Sequence, residues 1–173
     1  IYGGTSGIGS AAIQISREIG AEVIATVGDD EKKEYALNMG ANHVVNHNND
    51  KWTKEVESIA GRGSINVIFE HIGLSTWNKS LHLLSKYGRI VTCGATTGAN
   101  VGINLAHLFI KQQSILGSTM SNLSVFNIVM KNIRDKIYIP FVDRIFPLGM
   151  ISEAHKYIEN RHHSGKVVVK INN

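Results

Sequence analysis

The sequence predicts a doubly wound α/β fold, with a mostly parallel sheet of six strands, from two observations. Short β-branched runs alternate with amphipathic segments of helical periodicity through most of the chain. A glycine cluster, residues 3–9, connects the first apolar residues to the first helical segment. Strands that alternate with helices form right-handed βαβ units, whose parallel sheet is covered on both faces.

The elements follow from the periodicity in chain order. Strands are predicted at residues 22–26, 43–45, 65–69, 89–92 and 114–116. Helices are predicted at residues 7–19, 30–39, 51–60, 76–84 and 105–110, and a longer amphipathic stretch covers residues 122–136. A strand at 141–146, a helix at about 152–161 and a strand at 166–171 close the chain.

Apolar stripes and glycines refine these helices. The stripe that predicts the buried face of the first helix is Ile8, Ala11, Ala12, Ile15 and Ile19, and that of the third is Trp52, Val56 and Ile59. Gly20, Gly40 and Gly88 each follow a helical segment, where a left-handed backbone conformation commonly ends a helix. Only Ile1 and Tyr2 precede the glycine cluster, whereas a strand usually has about five residues. We therefore expect a fragment that begins inside its first strand.

Composition limits the functional class. Of the 173 residues, 43% are hydrophobic and 18% are charged, which is typical of a globular domain. No apolar run approaches the roughly 20 residues of a membrane helix, and no Lys/Arg block suggests nucleic-acid binding. The single cysteine, Cys93, rules out an internal disulfide and favours a cytoplasmic setting. The net charge of +4 fits a polyanionic cofactor or lysines that serve solubility only.

The glycine cluster predicts a phosphate site. Glycines at such a turn let the backbone approach a pyrophosphate, and the following helix N-terminus offers free N–H groups. Gly4 and Gly9 fit the outer positions of the G-x-G-x-x-G pattern, while Ser6 occupies the middle one. A purely structural turn is the alternative. No Gly-Lys-Ser/Thr follows, and no tyrosine has the lysine four residues on that short-chain dehydrogenases need.

Further segments make a resemblance specific. Residues 70–73, 83–91, 93–98 and 115–120, and near the end 146–148, 153–155 and 165–168, occur in this order. Together with the glycine turn, they resemble the nucleotide-binding domain of medium-chain dehydrogenases/reductases, the family of zinc-type alcohol dehydrogenases and quinone oxidoreductases. The resemblance implies an NAD(P)-binding Rossmann fold over residues 1–146. Residues 147–173 would pack on it or belong to a catalytic domain that is absent from this sequence.

The resemblance also implies function and partners. A hydride would pass between a nicotinamide cofactor and an alcohol, carbonyl, quinone or enone substrate. The N-terminal catalytic domain would supply the catalytic residues and any zinc, so the chain alone is expected to be inactive. Members commonly form dimers through the sheet edge, here residues 114–118 with loop 120–125. A non-catalytic dinucleotide-binding regulatory or sensor module is the alternative.

The candidate cofactor-binding residues come from the turn and from strand ends. They are Gly4, Ser6, Gly7, Ile8, Gly9, Gly28, Lys32, His47, His71, Cys93, Gly94, Ala95, Gly117, Ser118 and Thr119. By resemblance, Gly7 and Ile8 face the pyrophosphate, residues 93–95 border the nicotinamide, and residues 117–119 meet its carboxamide. His71 would lie near the ribose.

The second strand bears on the choice between NADP and NAD. Val27 occupies the place where NAD-binding sheets usually carry a ribose-binding acid, which favours NADP. Lys32 and His47 resemble phosphate-binding positions of NADP-using quinone oxidoreductases, although lysines here also fit a solvated helix face. Asp29 and Asp30 argue for NAD, since either could bind ribose or repel a phosphate.

The remaining reactive residues suggest no metal site or nucleophile. The adjacent His162 and His163 point in different directions, and His43, His47 and His71 lack metal-ligand spacing. Cys93 is expected to be a small buried apolar residue on a strand.

Overall fold

The central sheet forms one parallel layer bridged by the first two residues. The computed structural model describes residues 1–161 and 163–171, so His162, Asn172 and Asn173 lie outside the described residues. The strands are β1 (Ile24–Val27), β2 (His43–Asn46), β3 (Ile65–Glu70), β4 (Leu84–Thr92), β5 (Ser114–Gly117), β6 (Val142–Pro147) and β7 (Lys166–Lys170). Pairing joins β1 to β2, β3 to β4 to β5, and β6 to β7, all parallel.

Ile1 and Tyr2 fill the position between the first two groups of strands. The Thr26 N–H donates to the Ile1 carbonyl at 2.8 Å, and the Tyr2 N–H donates to the Phe69 carbonyl at 3.5 Å. The layer order is therefore β2, β1, residues 1–2, β3, β4, β5. This order confirms the doubly wound α/β fold.

The helices connect successive strands. They are α1 (Gly7–Glu18), α2 (Lys33–Asn38), α3 (Trp52–Ala60), α4 (Trp77–Leu83), α5 (Leu105–Ile110), α6 (Leu123–Arg134) and α7 (Ile151–Glu159), with 3-10 turns at Asp30–Lys32 and Leu148–Met150. Two apolar clusters result. One joins α1 and α2 to β1 around Ile13 and Ala36, and the other joins α3 and α4 to β3 and β4 around Trp52 and Leu84. No helix in the described ranges is long and apolar enough to cross a bilayer.

The predicted buried face of α1 is wrong. Ile8 and Ile15 are each 43% exposed, whereas Gly9, Ser10 and Ile13 are buried. The cause lies at the start of the helix, where Gly9 packs directly on the backbone of the preceding turn and so rotates this face toward the sheet. The stripe of α3 is confirmed, since Trp52 and Val56 are buried and Ile59 packs against the same cluster.

The prediction for Gly88 is also wrong. Gly20 and Gly40 do adopt positive φ angles, 80° and 110°. In the third case Tyr87, not Gly88, takes the left-handed conformation, with φ 63°. The chain enters β4 directly from α4 at Leu84, four residues before this glycine, so no helix ends there.

The last segment packs on α1 and α2. The Ile139 N–H donates to Gln14 Oε1 at 2.8 Å, and the Phe141 ring lies 4.3 Å from that of Tyr35, between centroids. The Gly165 N–H donates to the Thr5 carbonyl at 2.5 Å. The β6–α7–β7 unit thus reaches the glycine turn.

Candidate functional site

The glycine turn presents free main-chain donors at the start of α1. Ser6 caps the helix, with its Oγ accepting from the Gly9 N–H at 3.0 Å, and its hydroxyl proton remains available to donate. Within the described ranges, the N–H groups of Gly7 and Ile8 have no hydrogen-bond acceptor. A Cβ at Gly9 would overlap the Gly3 carbonyl oxygen and lie 2.7 Å from its carbon, so a side chain there would push α1 away from the turn. The geometry suits a bound phosphate.

Close contacts at Gly4 and Gly7 leave little space on two opposite sides of the glycine turn. Gly4 is buried, donates to the Thr26 carbonyl at 2.7 Å, and leaves only 3.0 Å between a Cβ and that of Ala25. On the outer side, the Lys166 side chain crosses Gly7, where a Cβ would lie 2.5 Å from the lysine Cδ. Gly4 therefore serves packing, while Gly7 is the point at which α1 contacts the side chain of Lys166 on β7.

Thr26, Gly28, His47 and Asn48 form a polar rim at the end of β1, here called the lip. Thr26 Oγ1 lies 3.1 Å from His47 Nδ1, and the Gly28 carbonyl accepts from Asn48 Nδ2 at 2.6 Å. Burial lowers the pKa of His47, so its ring is neutral near pH 7 and offers a hydrogen bond rather than a charge. Gly28 and His47, both predicted cofactor-binding residues, are neighbours in the structure.

Lys32 is anchored to the end of the chain. Its Nζ donates to the main-chain carbonyls of Arg161 at 2.9 Å and His163 at 3.2 Å. Both acceptors are neutral, so the positive charge of Lys32 is not cancelled. This contact holds the ammonium group near the loop that precedes β7.

The two acidic residues at this lip already have partners. Asp29 Oδ1 accepts from the Glu31 N–H at 3.1 Å and caps the 3-10 turn, and Asp30 pairs with Lys33 at 2.9 Å. The Lys33 hydrogen bond holds the pKa of Asp30 below its usual value. These local roles weaken the argument that either acid binds a ribose.

The turn between β3 and α4 is organised by Glu70, whose side chain is completely buried. Its Oε1 accepts from the N–H groups of Ile72 at 2.6 Å and Gly73 at 3.1 Å. Its Oε2 accepts from the hydroxyls of Thr76 and Ser80, each at 2.9 Å. The carboxylate therefore fixes the wall of the site next to the glycine turn.

His71 lies between the glycine turn and the residues that follow β4. Its Nε2 is 3.0 Å from the Tyr2 carbonyl, and its ring is 3.4 Å from where a Cβ at Gly3 would stand. A Cβ at Gly94 would lie 3.2 Å from the His71 carbonyl oxygen. His71 thus connects the glycine turn to the end of β4.

The ends of β4 and β5 enclose a cavity of about 650 Å³. Its lining comprises Gly73, Trp77, Thr92, Cys93, Gly94, Ala95, Gly98, Ala99, Val101, Ile103, Ile115, Gly117, Ser118 and Thr119. Six of the predicted site residues, 93–95 and 117–119, therefore share one cavity. The predicted turn and lip residues lie outside this lining, toward the start of α1 and the end of β1.

Cys93 differs from its prediction. The thiol lies just past β4 and is exposed, because the chain has already left the layer there. Partial desolvation of the sulfur and, secondarily, the Glu70 carboxylate raise the pKa of this thiol above its usual value. A reactive thiolate is thus disfavoured at this position. Within the described ranges, no three His, Cys, Asp or Glu side chains are grouped to hold a metal ion.

Sequence reasoning missed two residues of the site. Glu70 lies in the motif at residues 70–73 but is not among the predicted site residues, although an acid that ends an apolar strand is a signal of a buried carboxylate. Trp77 lies on a helical stripe, which predicts packing or a partner surface; it packs in the core, at 5% exposure, and also lines the cavity.

Comparison with known proteins agrees with this geometry. The family model described as zinc-binding dehydrogenase matches residues 7–135. Quinone oxidoreductase 1 of Escherichia coli is 27% identical over 92% of this chain and 52% of its own. A solved NAD-dependent alcohol dehydrogenase superposes with a TM-score of 0.89 at 34% identity, covering 99% of this chain and 50% of its own.

A structure solved with NADP is also similar. A crotonyl-CoA carboxylase/reductase in complex with NADP has a TM-score of 0.87 at 25% identity, covering 98% of this chain and 48% of its own. This chain spans about half the length of these three proteins. Because the family model covers most of the chain, the protein belongs to the zinc-binding dehydrogenase family, within the medium-chain dehydrogenases/reductases that its motifs resemble.

Proposed function

We propose that the chain is the NAD(P)(H)-binding domain of an oxidoreductase. The observation that carries this proposal is the placement of the glycine turn and the cavity at the carboxyl edge of one parallel layer, where doubly wound sheets bind ligands. The pyrophosphate would lie at Gly7 and Ile8, the adenosine at Gly28 and His47, and the nicotinamide in the cavity.

The chain positions the cofactor, and a catalytic domain completes the enzyme. A bound nicotinamide supplies hydride chemistry for an alcohol, carbonyl, quinone or enone substrate. The proposed cofactor domain covers residues 1–146. The described residues of segment 147–173 pack on it through contacts such as the hydrogen bond from the Gly165 N–H to the Thr5 carbonyl. Exposed Ile145 and Val168, which are register partners on β6 and β7, offer an apolar surface for the catalytic domain, which would also hold any zinc. Alone, the chain would be inactive.

NADP is the proposed cofactor in preference to NAD. Asp29 and Asp30 are occupied locally, whereas the charge of Lys32 is held beside the lip by neutral carbonyls. A phosphate would gain a charge-assisted hydrogen bond from this ammonium group.

Titration with NADPH and NADH tests the cofactor assignment. We expect Lys32→Ala to weaken NADPH binding about tenfold and to change NADH binding little, since one charged hydrogen bond contributes roughly 1.5 kcal/mol. Lys131→Ala is the matched control, because Lys131 is exposed on α6 and belongs to none of the ion pairs within the described ranges. Equal losses for both cofactors in Lys32→Ala would contradict the preference, and no binding of either cofactor by the wild-type chain would contradict the function itself.

We also propose a homodimer formed through the free edge of β5. Among the strands of the described ranges, β5 pairs only with β4, and Leu116, Met120 and Phe126 are exposed beside its edge. An unpaired strand with adjacent apolar side chains favours association with a second copy.

Light scattering across a concentration series tests the dimer. We expect twice the chain mass for wild type and a monomer for Leu116→Lys, because a lysine would leave an unpaired charge in the interface. Leu37→Lys on α2 is the control, since Leu37 is exposed to the same degree, 45% against 44%. A wild-type monomer at every concentration would exclude this proposal.

A further inference from the structure

Glu70 is a buried carboxylate directly behind the cavity wall. Its side chain is 0% exposed, and its Oε1 accepts from the N–H of Gly73, a residue that lines the cavity. The other three contacts, from Ile72, Thr76 and Ser80, are also donors. Both carboxyl oxygens of Glu70 therefore act only as hydrogen-bond acceptors, the role of a carboxylate.

Within the described ranges, no positively charged side chain is paired with Glu70. The ion pairs there are Lys33–Asp30, His43–Glu22 and His82–Glu57, and none includes Glu70. All four hydrogen-bond donors to Glu70 are neutral.

The carboxylate lies one hydrogen bond behind the cavity lining, because its Oε1 accepts from the Gly73 N–H at 3.1 Å. Cys93 also lines the cavity, and the Glu70 carboxylate, after partial desolvation, contributes to the raised pKa of its thiol. A fixed charge beneath an apolar wall interacts more strongly with a ligand than a solvated one does, because the local dielectric constant is low.

We propose that Glu70 makes the site favour the oxidised nicotinamide over the reduced one. The inference rests on the proposed function, in which the nicotinamide lies in this cavity. The two forms differ by one positive charge on the ring, which the oxidised form carries. The buried carboxylate attracts that charge and leaves the neutral, reduced ring almost unaffected.

The effect is measured as a ratio of dissociation constants. We expect Glu70→Gln to lower the ratio of the NADPH Kd to the NADP⁺ Kd about tenfold, mainly by weakening NADP⁺ binding. For a two-electron couple, a tenfold change corresponds to about 30 mV in the potential of the bound cofactor. Glutamine has the same shape, and its carboxamide oxygen still accepts from Ile72 and Gly73 while the hydroxyls turn to accept.

Isothermal titration of wild type, Glu70→Gln and the exposed control Glu159→Gln with both forms provides the test. The ratio should fall in Glu70→Gln and stay unchanged in Glu159→Gln. If Glu70→Gln does not fold, the wild-type chain should still bind NADP⁺ more tightly than NADPH, because only the oxidised ring carries the charge that the carboxylate attracts.

Two results would overturn the inference, and they are distinguishable. Binding of both forms with an unchanged ratio in the folded variant would remove the role of Glu70 and leave the proposed function intact. A wild-type chain that binds neither form would overturn the proposed function, and this inference with it.

Discussion

Replacing Gly9 by alanine is expected to lower the free energy of unfolding by about 3 kcal/mol. The added Cβ would overlap the Gly3 carbonyl oxygen, which is backbone and cannot rotate away. Either α1 or the turn must move, and the N–H groups of Gly7 and Ile8 move with them. We therefore also expect at least a tenfold loss in NADPH affinity, which corresponds to about one hydrogen bond to the phosphates.

Urea unfolding and NADPH titration of the same preparations measure both effects. Gly149→Ala is the matched control, because a Cβ there meets no atom within 4 Å. This control should stay within about 0.5 kcal/mol of wild type. A Gly9→Ala variant as stable as the control, with unchanged affinity, would show that the close approach of α1 to the turn is unimportant.

Replacing Glu70 by leucine is expected to destabilise the chain by about 3 kcal/mol, because one part-buried and one buried main-chain donor lose their acceptor. Within the described ranges, the N–H groups of Ile72 and Gly73 bind only the carboxylate, whereas Thr76 has an alternative acceptor in the Gly73 carbonyl at 3.2 Å. The main-chain amides of this turn cannot reorient toward another acceptor as hydroxyls can. The free-energy cost of leaving the two N–H groups without a hydrogen bond therefore remains.

Glu70→Gln separates this effect from loss of charge. Its carboxamide oxygen retains both main-chain contacts, so we expect a much smaller decrease in the urea midpoint than for Glu70→Leu. Hydrogen exchange should be faster at Ile72 and Gly73 in Glu70→Leu only. Equal midpoints for the two variants would contradict the proposed role of the acceptor.

The order of elements was predictable from the sequence because local periodicity determines it. Each predicted helix and strand of the central layer exists close to its expected limits, except that β4 begins at Leu84 and not at the predicted Arg89. The six cavity residues 93–95 and 117–119 were predictable together, since the carboxyl ends of parallel strands meet at one edge. Resemblance assigned their individual roles, and these remain predictions.

Contacts between distant parts of the chain were not predictable in this way. The exposure of Ile8 and Ile15 follows from backbone packing at Gly9, which periodicity does not contain. Lys32 binds carbonyls more than 120 positions later, and no local pattern indicates such a contact. Three of the four donors to Glu70 come from the turn between β3 and α4, and the fourth, Ser80, comes from α4, so no single local pattern contains them.

In the proposed complex, one dinucleotide cofactor spans the glycine turn and the cavity. The most direct test is a titration of the ¹⁵N-labelled chain with NADPH, followed by amide chemical shifts. We expect the amide signals of Gly7, Ile8, Gly94 and Ser118 to shift together and to saturate with a single Kd. Absence of saturable shifts, or shifts confined to α6 and the C-terminal unit, would contradict it.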